Sequence, residues 1–432
     1  MIIRDPIHGL IDFDGPIREV MEALLETREV QRLRRIRQLG LASLAYPGAE
    51  HTRFGHALGT AFVMTKLCWR LGQQLEAPVS LDEGMVTASV AAALLHDVGH
   101  APLSHLMESA LSLGRTHEQW SVEVVESSDT EVGEVLARYG LQRAVAQILD
   151  GSHEAGYLCD ALSSPLDVDR FDYLLRDSHH SGVRYGVFDL DWMLSSLMLA
   201  EAPTPTGDRV VLAVDGRRGL RAVEGYLMAR LSMFQQVYFH KTGRAAEFMF
   251  KRAFRRLAAL VDDGDRGASE MVAELPVGLG KMIRGELPAL DEYLDLDDPV
   301  FWSSLKRWST SDDAVLGRLA SGLLHRKLLR PLPLSQEVAT DEERAELLDR
   351  LRRATAAAGY DPDSFCGLDR AIDVPYHVDP GTSERIWVVG LGRPRPLAEV
   401  SPIVDVLRNW RVGRTIAICP EEAREALRKE LG

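Results

Sequence analysis

ALLHDVGHAPLSH, residues 93–105, is the stretch on which the reading of this chain turns. It sets His96, Asp97, His100 and His105 within ten positions, directly after a run from Gly84 to Leu95 with no charged side chain. A helix that is apolar all round is a buried helix, so its polar end is carried into the interior. Such an end is either a capped helix terminus or a chemical site. An imidazole beside a carboxylate offers the mixed nitrogen and oxygen donors that suit a divalent cation, and the further imidazoles can move protons.

Outward from this stretch the pattern stays helical. Residues 17–40, IREVMEALLETREVQRLRRIRQLG, space apolar side chains three and four apart and predict one helix stopped by Gly40. Further helices are expected at TRFGHALGTAFVMTKLCWRLGQQL (52–75), HEQWSVEVVES (117–127) and SPLDVDRFDYLLRDSHHSG, where the helix begins after Pro165. A long helical tract runs from Gly219 to Val261 with a break near Gly243. MIIRDPIHGLIDFD at the N-terminus reads as a short hairpin turning at DPIHG, and RVVLAVDGRRG (209–219) as one small hairpin. Residues 262–330 are helical. RPLPLSQEVATD breaks the pattern near 331, and ERIWVVGL, PLAEV and RTIAICP then read as strands among helices at 341–358 and 420–431. The expectation is a mainly α protein: a helical bundle with an N-terminal β-hairpin over residues 1–330 and a small α/β C-terminal lobe over 331–432.

Composition narrows the function classes. A chain of 432 residues with 46% hydrophobic and 26% charged residues is ordinary for a globular protein with a large core. The net charge of −14 speaks against strong sequence-independent nucleic-acid binding. Cys68, Cys159, Cys366 and Cys419 are dispersed without a CxxC pair, so neither a disulfide framework nor a zinc–thiolate site is expected, and a reducing cytoplasm fits. Neither a signal peptide nor a membrane span is expected.

Six of the 13 histidines, His51, His56, His96, His100, His105 and His117, fall between residues 51 and 117. A single buried histidine is usually structural; this density next to an apolar helix favours chemistry. LDVDRFDYLLRD adds Asp169, Asp172, Tyr173 and Arg176 at i, i+3, i+4 and i+7, one helix face, with Phe171, Leu174 and Leu175 elsewhere on the helix. The bland alternative for that face is a solvated stripe.

The ordered set RDPIHG, QRLRRIRQLG, YPGAEHTRFGHALG, LLHDVGHAPLSH, THEQWS, DVDRFDYLLRDSHHSG and YFHKTG resembles the HD-domain phosphohydrolases. Within them it is similar to the deoxynucleoside triphosphate triphosphohydrolases, including the antiviral branch in which a sterile-alpha-motif domain precedes the HD domain. The resemblance implies an HD-domain helical bundle. It implies His56, His96, Asp97 and Asp169 as ligands of one divalent metal ion (Fe, Mn, Zn or Mg), with additional Mg on the triphosphate. His100, His105, His117 and Glu108 then surround the α-phosphate, His117 as the acid for the leaving 5′-oxygen. Arg53, Arg170, Tyr173 and Arg230 match positions that hold the triphosphate. Gln38, Asp177 and Tyr238 match positions around the deoxyribose, and Leu39 touches sugar or base. The chain departs from the family at Glu108, where relatives carry aspartate, at Arg170 in place of lysine, and at Met228 and Phe239 near the base. Glu26 and Arg34 suit a nucleotide activator site, and relatives assemble into homo-oligomers.

The leading expectation is therefore a metal-dependent hydrolase converting dNTP and water to deoxynucleoside and triphosphate. The alternatives are another HD-type phosphohydrolase, acting on nucleoside mono- or diphosphates or a signalling nucleotide, and a catalytically silent nucleotide sensor.

Overall fold

The computed structural model describes residues 1–103, 106–107, 114–204, 207–334, 340–373, 376, 385–408, 410 and 412–431. His105 and Glu108 lie outside them. The expected hairpin is present: β1 (Ile2–Asp5) pairs antiparallel with β2 (Gly9–Asp12) from Ile2↔Asp12 to Asp5↔Gly9. Asp5 closes the turn by accepting from the backbone N–H of Ile7 and His8, both at 2.9 Å, and Gly9 takes the left-handed position at φ 74°.

The single helix expected over 17–40 is broken into pieces. α1 spans Gly15–Leu25 and α2 spans Arg28–Arg32, followed by 3₁₀ turns at Leu33–Arg35 and Gly40–Leu44. Tertiary pairing supplies the reason. Residues 36–38 are drawn out of the helix to bridge 51–53, with Arg53 N–H donating to Ile36 O at 2.9 Å and Gln38 N–H to His51 O at 3.0 Å. Gly40 thus opens a turn instead of ending a helix, and Gln38 is set beside Arg53.

The bundle proper consists of α3 (Arg53–Gly72), α4 (Glu83–Leu95), α5 (His117–Glu126), α6 (Glu131–Arg138), α7 (Gln142–Leu149), α8 (Gly156–Leu162) and α9 (Val168–Ser181). Asp82 caps α4 through Met85 N–H, and every residue from Thr87 to Leu95 is buried. Thr116 and Gln119 form a reciprocal capping box that starts α5 at His117. Asp167 caps α9 through Arg170 N–H, and Gly182 ends it in the left-handed region at φ 78°.

After α10 (Leu190–Ser196), β3 (Leu197–Thr204) pairs with β4 (Gly207–Asp215). RVVLAVDGRRG is thus one strand and a helix entry, not a hairpin. Asp215 O accepts from Arg218 and Gly219 N–H and turns the chain into α11 (Leu220–Met233). The long tract breaks at Phe239–His240. A π turn at Phe234–Tyr238 precedes the break, and His240 caps α12 (Lys241–Asp262), which contains Gly243.

Helices α13 (Arg266–Ala273), α14 (Val277–Ile283), α15 (Leu290–Leu294), α16 (Asp298–Trp308) and α17 (Ala314–Leu324) share a second core with α12, built on Phe250, Phe254, Phe301 and Trp308. Toward the C-terminus, β5 (Arg330–Pro333), α18 (Asp341–Ala357), α19 (Pro362–Phe365), β6 (Gly367–Asp373), β7 (Trp387–Val389), β8 (Arg395–Pro396), α20 (Leu397–Val400), α21 (Pro402–Leu407), β9 (Val412–Cys419) and α22 (Glu421–Leu431) follow. β9 is the centre of a sheet ordered β5–β9–β6, whereas β7 pairs in parallel with β4. PLAEV, expected as a strand, forms α20: its Leu397 and Ala398 are buried against the first core rather than alternating across a sheet. Among the described residues no helix is long and apolar enough to cross a membrane.

One close approach locks the end of α4 to α5. A Cβ on Gly99 would lie 2.3 Å from Ser121 N and 2.4 Å from His117 O, both backbone atoms. Gly99→Ala is expected to force the two elements apart at a cost of about 1–3 kcal/mol or more, read as a lower urea midpoint. An unchanged midpoint would show that this junction tolerates a side chain.

Candidate active site

Three helices deliver the polar cluster. His56 stands in the first turn of α3, His96 and Asp97 follow the last residue of α4, and Asp169 is near the start of α9. The two imidazoles are held in the same tautomer. His96 Nδ1 lies 2.8 Å from the carbonyl oxygen of Ala93, which can only accept, so the proton sits on Nδ1 and Nε2 presents its lone pair. His56 Nδ1 lies 2.8 Å from Asp172 Oδ2, which has the same effect. Both buried Nε2 atoms face Asp169 Oδ1, at 3.0 Å from His56 and 3.5 Å from His96, without well-aligned hydrogen-bond geometry. They converge with a carboxylate oxygen of Asp169, all within 4.8 Å of one another. Asp97 stands at the rim, its Oδ1 3.4 Å from His96 Nε2 and its Oδ2 3.8 Å from His56 Nε2, while it contacts the Arg53 guanidinium and lies 3.1 Å from His100 Nε2.

The electrostatics of this set call for a cation. Burial pushes the His56 pKa down, but the Asp169 and Asp172 carboxylates outweigh it and raise the group to about 10. Burial likewise raises Asp97, yet Arg53, His96 and His100 hold it well below the usual carboxylate range. Asp169 is lowered as well, the His56 and His96 contacts overcoming its burial. A divalent ion held by His56, His96 and Asp169 would bring positive charge to these carboxylates through mixed nitrogen and oxygen donors. The residues therefore fit a metal, with His56, His96 and Asp169 as first holders and Asp97 adjacent.

A cavity of about 230 Å³ opens over this cluster and is also lined by Arg53, His100, His117, Glu118 and Tyr173. The His100 ring stacks on that of His117 at 3.8 Å between centroids. Burial, reinforced by Arg53, keeps the His100 pKa well below its usual value. His117 Nε2 lies 3.2 Å from the Glu118 carboxylate. Beyond Gln38 and Arg53, which line both, lies a second space of about 420 Å³ walled by Leu39, Leu103, Val237, Tyr238 and Phe239. Tyr238 OH donates to Asp177 Oδ2 at 2.8 Å, and Asp177 Oδ1 is 2.8 Å from His51 Nε2. Gln38 Oε1 is buried without a hydrogen-bond partner.

Most residues singled out from the sequence thus meet around two adjoining cavities. Arg170 does not line either one: its guanidinium contacts Asp167 and donates to Ser164 O at 2.6 Å, because the α9 cap sits one turn before it. Arg230 and Asp177 are likewise absent from their described walls, Arg230 with its guanidinium 4.8 Å over the Phe234 ring and Asp177 bonded to Tyr238 and His51. Sequence reasoning placed Asp172 on the ligand-bearing face without giving it work, and gave none to His8. Their available signals were a carboxylate three residues after a ligand and the RDPIHG segment.

Comparison with known proteins sets the chain beside HD-domain proteins. The HD domain matches residues 53–177, and an HD associated region matches 199–273. The chain is 31% identical over 417 residues to the uncharacterized protein YwfO of Bacillus subtilis, covering 95% of this chain and 90% of that one. It is 28% identical over 285 residues to the deoxynucleoside triphosphate triphosphohydrolase SAMHD1 of Homo sapiens, spanning 59% of this chain but only 44% of that protein. Among solved structures, a phosphohydrolase from Bacteroides thetaiotaomicron superposes with a TM-score of 0.79 at 27% identity, covering 98% of this chain and all of the other.

Removing the converging donors is expected to remove the ion. The unmodified protein is expected to retain roughly one divalent ion per chain on elemental analysis, and Asp169→Asn and the double variant His96→Ala/Asp97→Ala should lose it, with helical circular dichroism preserved. Wild-type metal content in either variant would refute the assignment.

Proposed function

This chain belongs to the HD-domain family, and we propose that it is a metal-dependent phosphohydrolase that converts deoxynucleoside triphosphates to deoxynucleoside and triphosphate. The observation that carries the reading is the pair of adjoining cavities. One gathers imidazoles, carboxylates and Arg53, as phosphates and a divalent ion require; the other joins apolar walls to Tyr238, whose hydroxyl is bonded to Asp177, and to Arg244, Glu247 and Lys251, a mixed lining that suits a sugar and base. The triphosphohydrolase activity of the human relative supports the same chemistry, as does the fold shared with the Bacteroides phosphohydrolase.

His56, His96, Asp97 and Asp169 would hold the ion; the imidazoles suit Fe and Zn and the carboxylates Mn and Mg, so this donor set leaves all four as candidates. When bound, it supplies Lewis-acid polarisation of a phosphoryl oxygen and of water, and further Mg accompanies the triphosphate. Arg53, clamped by Asp97 at the cavity wall, binds phosphate oxygens. Tyr173, its hydroxyl pushed up to about 12 by burial, stays protonated and serves as a donor. His100 stays neutral and orients its stacked neighbour, and His117 gives its proton to the departing 5′-oxygen. The family resemblance also gives Arg170 and Arg230 to the triphosphate, although neither lines either cavity here, and His105 and Glu108 to the α-phosphate, both of which lie outside the described residues. Gln38 and Asp177 take the 3′-hydroxyl, Leu39 meets the sugar or base, and the Tyr238 ring packs against C2′, where a ribose hydroxyl would clash. Nucleotide activators and a homo-oligomer belong to the same reading.

Incubating the protein with each dNTP and NTP, singly and in pairs, and resolving the products by chromatography tests it. Triphosphate is the expected product; phosphate or pyrophosphate alone would overturn the proposal. His117→Ala should reduce turnover by roughly 10²–10⁴-fold with metal content intact. Equal losses on a dNTP and on a p-nitrophenyl phosphodiester, whose leaving group needs no acid, would remove His117 from that role. Tyr238→Ala should raise NTP hydrolysis relative to dNTP hydrolysis; an unchanged ratio accompanied by a lower melting temperature would mark Tyr238 as a core residue.

A further inference from the structure

We propose that the β1–β2 hairpin is a positioning element of the metal centre, acting on His56 through a buried relay of His8, Asp172, Arg176 and Asp5. The proposal rests on the reading of His56 as a metal ligand. Asp172 is the hub. Its Oδ2 lies 2.8 Å from His56 Nδ1 and accepts from Arg176 Nε at 2.8 Å; its Oδ1 lies 2.6 Å from His8 Nε2 and accepts from Arg176 Nη2 at 2.9 Å. Arg176 in turn donates through Nη1 to Asp5 Oδ2 at 2.8 Å. The other Asp5 oxygen builds the hairpin turn by accepting from Ile7 and His8 N–H. The hairpin is thereby wired, without a gap, to the imidazole nitrogen that decides which tautomer His56 adopts.

Burial makes this wiring consequential. Asp172 is 0% exposed, Arg176 1% and His56 1%, so water cannot substitute for a lost donor. Space for the relay is also built in. A Cβ on Gly59, three residues after His56 on α3, would fall 2.0 Å from Asp172 Oδ1 and 2.4 Å from Arg176 Nη2. Only a residue with no side chain lets α3 and α9 close around the pair.

A purely structural ion pair would need Arg176 and Asp172 alone. Here both Asp172 oxygens are also engaged by imidazoles, one from the hairpin and one from the cluster. A carboxylate on the non-ligating nitrogen orients the ring and raises its basicity toward the metal, and losing such a partner typically weakens metal binding about 10–100-fold. His8 is a positioning residue in this sense: it fixes the carboxylate that fixes the ligand.

The test is Co²⁺ titration of the full chain by calorimetry and visible absorption, alongside a melting curve for each variant. His8→Leu and Asp172→Asn are expected to weaken Co²⁺ binding about 10–100-fold and to alter the Co²⁺ absorption bands. His8→Gln, which restores an N–H donor, should recover most of the affinity. Asp172→Asn keeps the volume of the hub, so it reads the relay even if the leucine variant fails to fold. Unchanged affinity and spectrum in Asp172→Asn, or equal losses in His8→Leu and His8→Gln that track their melting temperatures, would overturn the proposal. Co²⁺ bound no more tightly by the unmodified chain than by His96→Ala would instead overturn the metal reading beneath it.

Discussion

A helix without a charged side chain from Gly84 to Leu95 delivers His96 and Asp97 to its inner end, and the surrounding structure answers the cost of burying them. An uncompensated carboxylate in a protein interior costs several kcal/mol. Asp97 is met by Arg53 from α3 and by His100 three residues further on. Asp169, brought by α9, faces the two imidazoles, and Asp172 is gripped by Arg176 and His8. The packing of α3, α4 and α9 is therefore inseparable from charge pairing: the helices whose apolar faces build the first core also carry the ions.

The same arrangement leaves part of the charge unanswered in a directed way. Each imidazole has its Nδ1 engaged, by a carbonyl in one case and a carboxylate in the other, and each Nε2 faces the Asp169 carboxylate. Satisfying one nitrogen and exposing the other is how a protein prepares histidines for a cation. Stability and readiness for metal thus come from the same hydrogen bonds.

Two departures from regular helix set the second cavity beside the first. The extended residues 36–38 place Gln38 against Arg53, and the π turn before His240 places Tyr238 where its hydroxyl reaches Asp177. Each replaces helix hydrogen bonds with tertiary ones, which is tolerable only where a neighbouring segment supplies the partner. Irregular backbone here coincides with the residues proposed to contact a sugar.

Elements whose pattern is local can be read from the chain alone. α3, α4, α5 and α9 are legible because apolar periodicity and capping residues act within a few positions. His96 and Asp97 stand out because an apolar helix ending in His-Asp must bury that pair, and the proposed ligand set and the wider site are read through resemblance to a known family. Features that depend on a distant partner emerge only on folding. The helix expected through residue 40 yields to pairing with 51–53, PLAEV becomes a helix where the first core takes up Leu397 and Ala398, and RVVLAVD finds its strand partner upstream at Leu197–Thr204. Arg170, read as a phosphate ligand, turns to Asp167 because that cap lies one turn away. His8, 164 residues from Asp172, had no local signal for its contact. Propensity and periodicity report energies within one segment, whereas the tautomer of His56 is set by a carboxylate that only the folded chain brings to it.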